Sequence, residues 1–354
     1  MGDIVELQVL TIRLRLKDKH SAMLTRQARA VSNVWNYCNE MQQKAAHAQR
    51  PWLASAELQR LTAGSSKLLG VPAQTICRVC IQYTLSRRQH KRAWLRFRGR
   101  RSLGWIPVHE ESLKITGRHI RFCGRRIEAM HWRELPPDAV IRNSTFASDT
   151  RGRWYLNLAI ETRSPSAATA GTAPVGIDLG LKELAALSTG EAIAVPRHYR
   201  RLQDSLGRAQ RASKKRLTRS IAAKIGNCRK DYLHKASARI ALAHDLIVVG
   251  NVSSEKLVRT RMAKSVLDAG WSTFRHMLSY KAIRHGGRYV EVNEHMTSRT
   301  CSDCGAVGGP QGIAGLGIRE WACVACGCHH DRDVNAARNI LARGLASLTE
   351  GAPQ

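Results

Sequence analysis

Two short cysteine pairs late in the sequence constrain this chain more than any other feature. Cys301-x-x-Cys304 and Cys323-x-x-Cys326 are separated by 18 residues, the spacing of two knuckles that close on one tetrahedral zinc ion. Each pair sets two thiolates on one tight turn, and Gly305 and Gly327 supply the turn freedom that follows. Four thiolates leave no open coordination position, so the expected Zn²⁺ is structural. Cys328 stands near enough to compete with Cys326, and His329 or His330 could substitute. The four-cysteine set is the simplest assignment. Cys38, Cys77, Cys80, Cys123 and Cys228 are scattered, as small core residues are in a reducing compartment. Cys77-x-x-Cys80 has no second pair and is expected to pack inside a helix.

Charge narrows the partner. The 354 residues hold 57 Lys+Arg against 27 Asp+Glu, a net +30, with an ordinary apolar content of 43%. That apolar share excludes wholesale disorder, while so large a positive excess favours a nucleic acid. No apolar run approaches the ~20 residues of a membrane span, so no membrane partner is expected. Residues 1–6 lack a secretion signal's basic start and apolar middle, which predicts a cytoplasmic location.

Pattern divides the chain in two. Residues 4–16 alternate apolar and basic positions, as a strand with one buried face does, and residues from His20 to about His90 show helical spacing. A basic bridge of Arg87, Arg88, Lys91, Arg92, Arg96, Arg98, Arg100 and Arg101 holds Trp94 and Phe97. It is expected to touch nucleic acid, with the two aromatics in the core. Short strands follow at 113–115, 119–122, 127–132 and 154–160, separated by Gly and Pro turns. The sum reads as a small β-barrel interrupted by a helical lobe. Residues 164–174 form a small, flexible linker. Beyond it, apolar strands at 175–180, 246–250 and 288–293 alternate with helices, which predicts a parallel pair and an α/β unit. The dense Arg and Lys of 197–239, with Leu202, Leu206, Leu217, Ile221 and Ile225 at helical spacing, reads as a groove that tracks a nucleic-acid backbone.

Two carboxylates stand out. Asp178 sits inside an apolar strand with glycines two residues to either side, and burying it demands a partner or a cation. Asp333 opens an amphipathic helix just after the cysteine knuckles, where Asp331 or Asp333 could equally serve as a helix cap. A strand Asp and a helix-start Asp around a parallel sheet match a phosphodiester-cutting site that holds two Mg²⁺ ions.

Five segments carry a family resemblance: Gly176-Ile-Asp-Leu-Gly-Leu-Lys, Arg229-Lys-Asp-Tyr-Leu-His-Lys, Asp268-Ala-Gly-Trp with Tyr280-Lys-Ala, Thr297-Ser-Arg-Thr-Cys-Ser-Asp-Cys-Gly, and Asp331-Arg-Asp-Val-Asn-Ala-Ala-Arg-Asn-Ile. Together, from about 175 to 342, they resemble TnpB, the transposon-encoded RNA-guided nuclease related to the type V CRISPR effectors. The resemblance implies an RNase H-like RuvC domain (175–297 and 331–345) embracing a zinc ribbon (298–330), with a tail at 346–354. Ahead of the linker it implies a wedge β-barrel (1–18 and 100–163) and a helical recognition insert (19–99). It further implies a guide RNA from the transposon end, double-stranded target DNA cut beside a target-adjacent motif, and Asp178 and Asp333 as the first and last catalytic aspartates. No oligomeric state follows; a monomer is expected.

One departure bears on activity. The family's second strand ends in a catalytic glutamate, and here Gly250 holds that position in Ile247-Val-Val-Gly-Asn. Either cleavage is lost and the protein binds DNA as an RNA-guided repressor, or the glutamate has moved. Glu294, at the end of the strand expected beside the one closing at Gly250, is the favoured replacement, since parallel neighbours share one edge ~4.8 Å apart. Glu255 is the second candidate, and Glu291 falls out of phase on its strand. The expected Mg²⁺ set is therefore Asp178, Glu294 and Asp333. A transposase that joins DNA ends would also use acidic residues and metal, but the ribbon ahead of the last Asp favours a TnpB-type nuclease.

Overall fold

Alternation writes the first strand, and its inward residues close one core. A computed structural model describes residues 7–163, 171, 173–251, 270–311 and 314–350. The chain divides into Met1–Arg163 and Ser164–Gln354.

In the first unit, β1 (Leu7–Arg15) pairs antiparallel with β7 (Trp154–Arg163), which pairs with β6 (Val140–Ser148), and β6 with β2 (Trp105–Val108). A second antiparallel sheet joins β3 (Leu113–Thr116), β4 (His119–Phe122) and β5 (Arg125–Ile127). Ile12, Leu14 and Leu16 point into a core shared with Ile106, Phe122, Phe146 and Leu156. The helical stretch is α1 (Ser21–His47), α2 (Ser55–Leu61), α3 (Ser65–Leu69) and α4 (Ala73–Gln89). Leu24, Ala28, Val31, Val34 and Cys38 are buried on α1 against Ile76, Val79, Cys80 and Tyr83 of α4. Cys38 and Cys80 meet at 3.8 Å, as packed thiols rather than metal ligands.

Three sequence expectations fail in this unit. The strand expected over 127–132 ends at Ile127, and β2 and β6 were not expected at all. Arg87 is no nucleic-acid contact: only 2% exposed, it donates to Gln42 and to the Leu53 carbonyl and lies 5.0 Å over the Trp52 ring. Trp94 and Phe97, expected in the core, are 41% and 46% exposed, and Trp94 stacks on His47.

The second unit is a mixed five-stranded sheet ordered β10-β9-β8-β11-β12. Strands β8 (Val175–Asp178), β9 (Glu183–Leu187) and β10 (Ala192–Ala194) run antiparallel; β11 (Leu246–Gly250) and β12 (Arg288–Val292) run parallel to β8. Helices α5 (His198–Arg211) and α6 (Lys215–Ala243) connect β10 to β11; α7 (Trp271–Arg284) precedes β12. A hairpin of β13 (Glu320–Ala322) and β14 (His329–Asp331) leads into α8 (Arg332–Glu350). The α8 helix thus continues five residues beyond position 345.

Both faces of β11 are apolar because both are covered. Ile247 and Val249 join Leu233, Ile240, Phe274 and Leu278 of α6 and α7 on one face. Leu246 and Val248 meet Ile340 of α8 on the other. Gly176 permits that close approach: a Cβ there would stand 2.1 Å from the Ala337 carbonyl oxygen. Among the described residues, no helix is long and apolar enough to cross a membrane.

Candidate active site

The sheet delivers its acidic residues to one edge, beside the start of α8. Asp178 is the last residue of β8, and the adjacent β11 aligns Val249 with Ile177. On the other side of β11, Gly250 pairs with Val292 of β12, and Asn251 N–H extends the pairing to the Val292 carbonyl at 2.9 Å. Two residues on, the chain turns at Glu294, whose carbonyl accepts from Thr297 Oγ1 at 2.8 Å and Thr297 N at 3.2 Å. The Glu294 side chain folds back over Gly250. A Cβ built on Gly250 would lie 2.9 Å from Glu294 Oε2, 3.2 Å from Glu294 Cβ and 3.1 Å from Ile340 Cδ1. The volume that a side chain at 250 would fill is held by a carboxylate from the next strand.

Charge at this edge is concentrated. Burial, followed by the charges of Glu294 and Asp333, pushes the Asp178 carboxyl up to about 8, against the opposing pull of Arg332. Burial also raises Glu294, which Arg275 opposes. Two like-charged neighbours around a buried carboxyl describe a site that needs a cation. Its donors are all carboxylate oxygens, the type that suits Mg²⁺ rather than a soft metal. The donor type of Asp178, Glu294 and Asp333 suits the expected ion, while their oxygens do not all stand within 4.8 Å of one another.

Asp333 is free of capping duty because Asp331 performs it. Asp331 Oδ1 accepts from the N–H groups of Asp333 and Val334, both at 2.9 Å. Asp333 Oδ2 instead accepts from Arg319 Nη1 at 2.7 Å, a partner the sequence did not signal. Glu291 pairs with Arg275 at 3.3 Å and accepts from Tyr289, away from Gly250. Glu255 and Asp268 lie outside the described residues.

The cysteine knuckles come together as their spacing predicts. The four sulfurs of Cys301, Cys304, Cys323 and Cys326 lie within 4.8 Å of one another, with Cys301–Cys326 at 3.7 Å and Cys304–Cys323 at 3.6 Å. Tetrahedral zinc with Zn–S bonds of ~2.3 Å sets sulfurs about 3.8 Å apart. The set fits one Zn²⁺. Gly305 and Gly327 have φ of +77° and +74°, and their N–H groups bond back to the Cys301 and Cys323 carbonyls.

Sequence reasoning missed the residues that tie these parts together. Asn335 Nδ2 donates to the Thr297 and Thr300 carbonyls, its Oδ1 accepts from Ser302 N, and Asn339 Nδ2 repeats the bonds to Thr297 and Thr300. These two asparagines stand four residues apart on α8, the one signal that could have flagged them. Trp271 Nε1 donates to the Gly180 carbonyl just after Asp178. Lys281 Nζ donates to the His234 carbonyl and Ser237 Oγ, fastening α7 to α6.

Known proteins match parts of this chain. The Cas12f1-like TNB domain model matches residues 271–340, and the OrfB IS605 "probable transposase" model matches 157–261. A protein of Streptomyces pristinaespiralis, named as a candidate RNA-guided DNA endonuclease, is 40% identical over 62% of this chain and 57% of its own length. InsQ of Escherichia coli K12, named likewise, is 31% identical over 60% of this chain and 59% of its own length. This chain is similar to TnpB-type proteins. A TnpB-like protein of a mimivirus, L79, is 34% identical over 37% of it. The matches to the two bacterial relatives span under two thirds of their lengths. The mixed α/β fold of this chain is similar to that of the Cas12f1 in a solved complex with guide RNA and target DNA, at TM-score 0.57 and 13% identity over 92% of this chain and 83% of that one.

Proposed function

We propose that this chain is a TnpB-type RNA-guided DNA endonuclease of a transposon, with Glu294 in place of the glutamate that Gly250 displaces. The observation that carries the reading is the Glu294 carboxylate over Gly250, beside an Asp178 whose carboxyl it destabilises as an anion. The sheet of the second unit reads as the RNase H-like RuvC core, with the knuckles as its zinc ribbon. The first unit's sheets and helices read as the wedge barrel and recognition lobe; most of the expected linker, 164–170 and 172, lies outside the described residues. Guide RNA from the transposon end and target DNA with an adjacent motif are the partners in this reading, which the names of the relatives support.

Asp178, Glu294 and Asp333 would hold the catalytic Mg²⁺. When bound, two such ions supply an activated water and charge neutralisation for in-line phosphodiester displacement. The chain's own groups prepare that chemistry. Strands β8 and β12 fix two carboxylates on one edge, and α8 brings the third. Asp331 holds the helix start so that Asp333 faces the site instead of capping. Arg319 neutralises Asp333 at 2.7 Å.

The test is programmed plasmid cleavage, with the protein co-expressed with transposon-end RNA and given Mg²⁺ and a target beside a randomised flank. Linear product that disappears with Asp178→Ala is the expected result. Guide-dependent binding without any cut would replace the nuclease with a DNA-occupying repressor.

A further inference from the structure

The ribbon holds more metal-ligating groups than one zinc can use. Cys301 Sγ, an Asp303 carboxylate oxygen and a His330 ring nitrogen all lie within 4.8 Å of one another, beside the four-sulfur set. His330 Nε2 stands 3.1 Å from Cys301 Sγ and 4.0 Å from Asp303 Oδ2. The ring is held in that direction: His330 is 4% exposed, pairs across the hairpin with Trp321, and lies 4.9 Å from the indole. Its Nδ1 is buried without a partner among the described residues, so Nε2 is the nitrogen the fold puts to use. Cys328, two residues earlier, has its thiol beside the Asp303 carboxylate and the Cys326 sulfur.

We propose that the ribbon has a second zinc site, built on Cys301, Asp303 and His330, with Cys328, the thiol next to Asp303, closing in as the fourth donor when the metal binds and the Cys301 thiolate bridging the two ions. Two sulfurs, one imidazole and one carboxylate are a donor set for Zn²⁺, not for Mg²⁺ or Ca²⁺. Four donors complete a tetrahedron and make the second ion structural like the first. Charge argues the same way. Four thiolates around one Zn²⁺ already leave two excess negative charges, and the Asp303 carboxylate and Cys328 thiolate add two more in the same small volume. A second Zn²⁺ cancels that addition. Of the knuckle sulfurs, Cys301 is the one facing both sets.

Zinc content of the full-length protein tests this. An Asp178→Ala background removes the carboxylate edge as a competing zinc site. The protein is loaded with excess Zn²⁺, dialysed and assayed by atomic emission, with Co²⁺ substitution reporting thiolate bonds through their charge-transfer absorption. The expected content is two zinc per chain, falling to one in Cys328→Ser and in His330→Ala, with the tetrathiolate cobalt band retained. Cys328→Ser leaves the buried hairpin packing intact, so its result stands if His330→Ala fails to fold. One zinc in the parent protein, or two in Cys328→Ser, overturns the proposal. So does a His330→Ala protein that loses both ions while Cys328→Ser keeps two, since His330 would then only buttress the first site.

Discussion

At position 250 the absence of a side chain is what lets another residue reach in. Contacts below 3.0 Å are not tolerated by a real Cβ, and Gly250→Ala would place one 2.9 Å from Glu294 Oε2. The obstructing atom is the end of a flexible side chain, so the fold should survive while the carboxylate is pushed away. Cleavage should fall at least ~10-fold, within the ~10–100-fold range for disturbing a group that orients a metal ligand, with thermal stability nearly unchanged. Glu294→Ala should cost ~100-fold or more and leave guide-RNA affinity intact; full-rate cutting by that variant would remove Glu294 from the site. A different residue ties stability to pH. Burial, then Arg284, lowers the Lys281 ammonium to about 8, whereas an unfolded lysine titrates near ~10.4. Between those values the unfolded chain binds more protons, so stability rises with pH through this window. The penalty of the buried charge is complete below the folded value and gone above the unfolded one. Lys281→Met should flatten the rise in urea midpoint between pH 7.5 and 10.5 relative to the parent; an unaltered slope would show that Lys281 does not titrate there.

Helix α8 is where elements are joined to chemistry, because its first turn carries Asp333 and it is stapled to the first knuckle by Asn335 and Asn339. Asn335 is 1% exposed and satisfies two carbonyls and one N–H of the 297–302 turn. Asn335→Ala would strand the Ser302 N–H, while Asn339 still donates to both carbonyls, at about 1–3 kcal/mol for one buried unpaired group. A loss of about 1–3 kcal/mol in unfolding free energy should accompany slower cleavage, since the turn after Glu294 is held to the Asp333 helix partly through these bonds. Equal stability of the variant would show that water replaces the amide. Much of this region is legible in sequence for a physical reason. Strand β11 is apolar on both faces, the cysteine spacing is fixed by tetrahedral bond lengths, and Gly250 and Glu294 close neighbouring parallel strands that share an edge. Other features depend on tertiary partners that leave no local trace. Arg87 reads as one more basic residue until Gln42, Leu53 and Trp52 close around it. Trp94 and Phe97 look like core residues because aromatic character alone does not say which face of a loop is covered. The pairing of Arg319 with Asp333 joins residues on either side of the second knuckle, with no periodicity to announce it.

Charge is a property of the whole molecule, and at +30 it requires an outlet on the surface. Each unit has its own core, so the excess cannot be stored inside. The junction of α5 and α6 exposes much of it. Residues 210–217 are all exposed, and Arg211, Lys214, Lys215 and Arg216 stand there without an acidic residue in the stretch. Among the described salt bridges, none involves these four cations. A solvated basic tip and a phosphate-tracking surface make different demands on salt. Each phosphate contact contributes ~0.9 to the slope of log affinity against log salt for duplex, and ~0.7 for single strands. Neutralising all four to glutamine should therefore reduce the slope for guide-RNA or RNA–DNA hybrid binding by about 3, if the tip rides on the backbone. Affinity should drop most at low salt and the two proteins should converge as salt rises, because the lost term is counterion release. The quadruple variant removes only exposed charge, so its melting temperature should hold. A parallel displacement of the two salt titrations, with no change of slope, would place the nucleic acid elsewhere and leave the tip as a solvated helical turn.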